Sequence, residues 1–186
     1  MRNQLLAVSF FVFLLIFSAC GNKEKAETSE LTERIGNLEQ MVVDSSQSVT
    51  RNSIMRKLAK AYQQYAINEP HADDAGDKLL KAAQNYGTIG DFVNATTILE
   101  SIIESKPKTE AAKDAMFQGA YIYGEMAKYD KTKSEEYNST SKKYYEMLIK
   151  DFPNDPLAEQ SKMLMNYIGK SDEELFDAVI KKSKQN

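Results

Sequence analysis

The side chains able to do covalent or acid–base chemistry are few and scattered. The chain of 186 residues holds one cysteine, Cys20, one histidine, His71, and no tryptophan. A single thiol closes no intrachain disulfide, and a lone imidazole builds neither a Cys/His zinc site nor a histidine relay. His71 follows Pro70 and precedes Asp73 and Asp74, which reads as a turn histidine beside helix-capping carboxylates. Asp151, Asp155, Glu159 and Asp172 offer oxygens, but without the dense alternation and the glycine of a calcium loop. Glu135 and Glu136 are helix neighbours that point apart and form no acid–base pair. Asn94-Ala95-Thr96 and Asn138-Ser139-Thr140 match the glycan-acceptor pattern, the first inside an expected helix, and both read as chance matches. No glycine-rich phosphate loop, nucleophile elbow or zinc helix occurs. The expectation is a protein that is not an enzyme, with no catalytic residue, metal or bound cofactor. A net charge of −3 without clustered Lys and Arg also argues against a nucleic-acid partner.

Cys20 is left, and its surroundings make it an acceptor. Residues Met1 to Ala19 carry one charge, Arg2, then an apolar run from Leu5 to Phe17 broken only by Ser9, then Ser18-Ala19. A positive start, a short apolar core and small residues fit a secretory signal peptide over residues 1–19 better than a membrane-spanning helix, which needs about 20 apolar residues. The small pair directly before cysteine resembles the bacterial lipobox, although Phe17 stands where Leu, Val or Ile is commoner. The resemblance implies cleavage before Cys20 and a covalent diacylglycerol and acyl lipid such as palmitate on its thiol. It also implies, through the non-acidic Gly21, delivery to the outer membrane, with the periplasmic face favoured. Each buried methylene of such an anchor contributes about 0.8 kcal/mol, so two or three chains hold a protein at a bilayer durably. Residues 20–30, polar and poor in large apolar side chains, read as the lipidated terminus and a flexible tether.

The elements that follow are helical. From Leu31 to Ile180 apolar residues recur at three- and four-residue spacing with no sustained period-two alternation, so the expected fold class is all-α. Pro70, Pro107 and Pro153 each close a periodic segment. Equal offsets after them give Ala82, Ala83 and Tyr86, then Gly119, Ala120 and Tyr123, then the faded Met165, Asn166 and Gly169. Equal offsets before them give Leu58, Tyr62 and Tyr65, then Ala95, Leu99 and Ile102, then Ser141, Tyr145 and Leu148. The second interval is longer, with its excess near Tyr129 to Asn138. Each unit reads as two antiparallel helices, turned at Gly90-Asp91 in the first, whose small residues permit close approach.

Ala83, Tyr86, Gly90, Ala95 and Pro107, and more faintly Gly119, Ala120, Tyr123 and Pro153, resemble the tetratricopeptide repeat. The longer unit is similar to repeats of Gram-negative envelope lipoproteins such as the β-barrel-assembly lipoprotein and the Tol-Pal coordinator. The close of the chain, from Phe152-Pro153-Asn154-Asp155-Pro156 to Gly169-Lys170-Ser171, resembles small Bacteroidetes-type repeat lipoproteins. The resemblance implies a right-handed α-solenoid of antiparallel helix pairs over residues 49–186. Ser171 and Glu174 form an expected capping box opening a last helix, with Leu175, Phe176, Val179 and Ile180 on one side, that caps the stack. Residues 31–48 read as a weakly amphipathic helix. Its Leu31, Ile35, Leu38 and Val42 fit a degenerate first repeat helix packing on Leu58 and Tyr62, a short coiled coil that oligomerises through residues 31–43, or a mobile tether.

Tyr62, Tyr65, Tyr86, Tyr123 and Tyr145 occupy core offsets, each with a hydroxyl able to reach an edge. Phe117 and Tyr121, four apart on one helix, differ. In tetratricopeptide repeats that face lines a concave groove, and the resemblance implies a partner-binding groove of Leu80, Gln84, Phe117 and Tyr121. The implied function is a lipid-anchored scaffold or adaptor holding an envelope protein partner, in outer-membrane assembly or envelope maintenance. The other reading is a ligand-binding lipoprotein serving an uptake system, which an enclosed pocket with convergent polar groups would favour.

Overall fold

A computed structural model describes residues 26–171 and 173–174. The segment 1–19, Cys20 and the apolar residues Leu175 to Ile180 of the expected cap lie outside the described residues. Among the described residues every regular element is helical: α1 (26–44), α2 (Ser48–Asn68), α3 (Ala75–Thr88), α4 (Phe92–Ser105), α5 (Glu110–Tyr129), α6 (Ser134–Asp151) and α7 (Pro156–Met165). The fold is all-α. The chain divides into two compact units at Ala75/Gly76.

The first unit is the α1–α2 pair. Thr28 Oγ1 donates to Glu69 Oε1 at 2.7 Å and the Tyr62 hydroxyl donates to Glu39 Oε1, so partners recede along α2 as α1 advances and the pair is antiparallel. Leu31, Ile35 and Leu38 are buried within the single chain, as are Ile54, Leu58 and Tyr62 of α2. Helix already covers residues 26–30, where a tether was expected. Acidic Glu27 and Glu30 suit an early helical turn, and the Thr28–Glu69 bond fastens it to the end of α2.

The second unit begins with α3, and the turn after it holds Gly90, whose φ of +77° is a left-handed value that glycine adopts without strain. In α4, buried Ala95, Ile98, Leu99, Ile102 and Ile103 make one apolar stripe. Phe92 stacks obliquely near Tyr129, and Glu100 accepts from Tyr123, so α4 and α5 are antiparallel. Along α6, Tyr137, Ser141, Tyr144 and Tyr145 meet Tyr123, Ala120, Gly119 and Phe117 in turn, again an antiparallel pair. Between α3 and α5 the order is different. Gly76 stands against Ala111 and Gly87 against Ile122, so both helices advance together and lie parallel. The residues added in the longer proline interval extend the helices, because α5 and α6 run 20 and 18 residues against 14 each for α3 and α4. Leu99, Met116 and Leu148, one from each of three successive helices, are fully buried and mark the core of this unit.

Helix ends follow local chemistry. Thr109 Oγ1 accepts from the Ala112 amide at 3.2 Å to open α5. Asp155 accepts from the Leu157 amide at 2.8 Å to open α7, with Pro156 in the first turn. Ser171 and Glu174 exchange the two bonds of a capping box: the Glu174 amide donates to Ser171 Oγ at 3.2 Å and the Ser171 amide donates to Glu174 Oε2 at 2.7 Å.

Asp155 has a second partner in Lys113, whose Nζ lies 2.7 Å from Asp155 Oδ2 and also bonds Glu110. The Lys113 ammonium, then the Leu157 amide, holds the Asp155 carboxyl below the usual carboxylate range. A lowered folded-state value contributes stability that is complete above the unfolded value of about 3.9 and is lost as pH falls through the folded one. Asp155→Asn is therefore expected to lower the melting temperature at pH 7, by a margin that narrows below about pH 4. Asparagine still caps a helix, so the comparison isolates the charge. A margin that stayed constant from pH 7 to pH 2 would show that Lys113 and Asp155 contribute nothing electrostatically.

Candidate functional site

Three of the four expected groove residues meet at one concavity. The parallel run of α3 beside α5 leaves a groove of about 560 Å³, with Gln84, Gly87 and Thr88 on the α3 side and Phe117, Gln118, Tyr121 and Ile122 on the α5 side. Gly87 sets its depth, since a methyl placed there would stand 3.2 Å from Ile122 Cδ1. Tyr121 is 59% exposed at the rim. Phe117 is half-buried and rests edge-on against the Tyr145 ring, centroids 5.9 Å apart.

Leu80 does not belong to this groove. It is 8% exposed and part of the core. Equal offsets from proline place Leu80 and Phe117 at equivalent positions of their own helices, but a groove between two parallel helices is lined by opposing faces, which are not equivalent. The last two turns of α3 therefore face the middle of α5, and Leu80 lies a turn too early.

Sequence reasoning passed over the far end of the groove. Phe92, Tyr129 and Glu125 also line it, and the Phe92 and Tyr129 rings lie 5.9 Å apart. The available signal was an aromatic residue directly after the Gly90-Asp91 turn and another at the last position of α5. Tyr129 is 76% exposed, so the groove has a ring at the rim near each end. Its one carboxylate, Glu125, is paired with Lys128 at 2.6 Å. The lining is thus aromatic and amide-rich, with its charge compensated.

A second concavity of about 350 Å³ lies on the other side of α5, where Tyr121 and Glu125 appear again with Lys128, Asn138, Tyr145 and Tyr167. Tyr121 is the ridge shared by both. Below it, Ser141 Oγ donates to the Ala120 carbonyl at 2.7 Å, and burial, with Tyr121 next, pushes the Tyr145 phenol up to about 12. The Tyr145 phenol stays protonated at physiological pH. Deeper still, Glu100 accepts from Tyr123 at 2.6 Å and from Tyr144 at 3.3 Å, which pins α4, α5 and α6 together behind the grooves. Burial, then Glu100, pushes the Tyr123 phenol up to about 12.

The other chemically suggestive residues stay apart. His71 is exposed in the turn after Pro70. Asp155 is occupied as a cap and as the partner of Lys113, and among the described residues no group of three His, Cys, Asp or Glu side chains converges. No family model matches the chain, and neither does any curated protein or solved structure.

Proposed function

We propose that the protein is a lipid-anchored adaptor of tetratricopeptide-repeat type that holds a protein partner in the bacterial cell envelope, in outer-membrane assembly or maintenance. Two antiparallel pairs with parallel leading helices, α3–α4 and α5–α6, are the arrangement that such repeats stack from, which supports the repeat reading. The observation that carries the function is the groove between α3 and α5. It has exposed rings at its rim and amide side chains, Gln84 and Gln118, along its walls. An extended or helical segment of a partner finds apolar anchors and polar fringes there, whereas a small charged metabolite finds no convergent charge.

The test separates binding from stability. Tyr121→Ala and Tyr129→Ala remove exposed rings, so each is expected to leave the melting temperature nearly unchanged while reducing recovery of cross-linked envelope partners. Tyr86→Ala, at a site 4% exposed, is the contrasting control and is expected to cost about 3–5 kcal/mol of stability. Phe117→Ala falls between, because its ring packs on Tyr145. Undiminished partner recovery by the doubly truncated Tyr121/Tyr129 variant would sink the groove as the binding surface.

A further inference from the structure

The second concavity, on the side of α5 away from the partner groove, gathers positive charge in a chain whose net charge is −3. Lys128, Lys131 and Lys170 line it with one carboxylate, Glu125, so its lining carries two positive charges in excess. Lys128 is committed to Glu125 at 2.6 Å. Lys131 and Lys170 make no ion pair among the described residues. The carboxylates near them in sequence are engaged elsewhere: Asp130 accepts from the Thr132 amide at 3.0 Å, and Glu174 from the Ser171 amide at 2.7 Å. Glu135 and Glu136, which follow Ser134 on α6, are exposed and outside the lining. Two unpaired ammonium groups on one concavity repel each other, and a bound anion removes that repulsion.

The rest of the lining suits an anion with an organic body. Ser134 Oγ accepts from Asn138 Nδ2 at 3.4 Å, which leaves the serine hydroxyl proton for another acceptor. Leu164 and Ile168 supply apolar wall, and Tyr121 and Tyr167, 59% and 51% exposed, supply ring surface. The turn that carries Tyr167 and Lys170 is fixed by its backbone. The Tyr167 amide donates to the Leu164 carbonyl at 2.9 Å and the Lys170 amide to the Tyr167 carbonyl at 3.2 Å, while Gly169 takes a φ of +77°. A methyl on Gly169 would stand 3.4 Å from Asn138 Nδ2, so this turn lies against α6.

We infer that this concavity binds a phosphate monoester with an apolar or aromatic body, its phosphate held by Lys131 and Lys170 and its body against Tyr167, Leu164 and Ile168. A phosphate monoester carries about −1.5 to −2 charges at pH 7 and matches the excess of the lining, whereas a carboxylate would leave one lysine uncompensated. Lysine serves phosphate as a point charge, and the serine hydroxyl adds a donor for its remaining oxygens.

Phenyl phosphate, inorganic phosphate and phenol, titrated calorimetrically into the full-length chain in nonionic detergent, test the site. Phenyl phosphate is expected to bind about tenfold more tightly than either fragment, and more weakly as salt rises. Joint Lys131→Gln and Lys170→Gln substitution is expected to weaken it by about tenfold. Both lysines are exposed, so that variant is expected to melt with the wild type. Tyr167→Ala is expected to weaken phenyl phosphate alone, and Lys142→Gln, exposed on α6 outside the concavity, to change nothing. Phosphatidic acid added to the micelles separates the sources: displacement of phenyl phosphate assigns the site to a lipid headgroup and its absence to a soluble ester, and both uphold the phosphate site. Absence of saturable phenyl phosphate binding, or binding unchanged in the double lysine variant, overturns it. Equal affinity for phenyl phosphate and inorganic phosphate overturns it as well, because the body would then contribute nothing.

Discussion

Ala120→Leu is expected to destabilise the Gly76–Asn186 unit by about 1–3 kcal/mol, and Ala83→Leu by a similar amount. Both alanines are fully buried. At Ala120 the reason is visible atom by atom. Its carbonyl accepts from Ser141 Oγ at 2.7 Å, and a methyl on the preceding Gly119 would stand only 3.2 Å from the Tyr144 ring. The backbones of α5 and α6 approach here with no room for three further carbons, so a leucine must push α6 outward, break the Ser141 bond, or adopt an unfavourable rotamer. Thermal melts of the wild type, the two variants and Lys142→Leu measure this, since Lys142 is exposed on α6 and its change is expected to stay within about 0.5 kcal/mol. Ala120→Leu melting with the wild type would mean that α5 and α6 are not in close contact at this level.

Those same small residues were what the sequence displayed most clearly. Period and proline placement predict helices, and the paired small residues at Ala82-Ala83 and Gly119-Ala120 predict close contacts, because steric exclusion leaves a signature in residue type. Gln84, Phe117 and Tyr121 were named through the repeat resemblance, which assigns a concave face to the leading helices, and all three line the concavity between α3 and α5. Leu80 shares a face of α3 with Gln84 but lies one turn earlier, where that face is buried, and residue spacing does not show where along a helix burial gives way to a groove. Phe92 and Tyr129 escaped notice because an aromatic residue at a helix end looks the same in sequence whether it fills a core or rims an opening. Residues 26–30 were read as tether from composition, and composition does not register the single bond from Thr28 to Glu69 that ties this turn to α2. The role of Asp155 likewise depends on Lys113, a residue far away in sequence whose side chain is 11% exposed and reaches across from α5.

The largest expected effect concerns the anchor. Cys20→Ala is expected to abolish both fatty-acid incorporation and durable membrane retention while leaving the helical fold intact. The polar helices offer no substitute anchor, since among the described residues no helix is long and apolar enough to cross a membrane. One complication has a physical remedy. Without its cysteine, the apolar segment before residue 20 can remain uncleaved and act as an anchor itself, so retention alone is ambiguous. Metabolic labelling with an alkyne fatty acid reads the thiol directly. A second pair of chains, in which residues 1–19 are exchanged for a leader cut by general signal peptidase, reads the rest: here Cys20→Ala is expected in the soluble fraction after a carbonate wash. Failure of the wild-type chain to take up label, or membrane retention of the Cys20→Ala chain behind the cleavable leader, would remove lipidation as the basis of attachment.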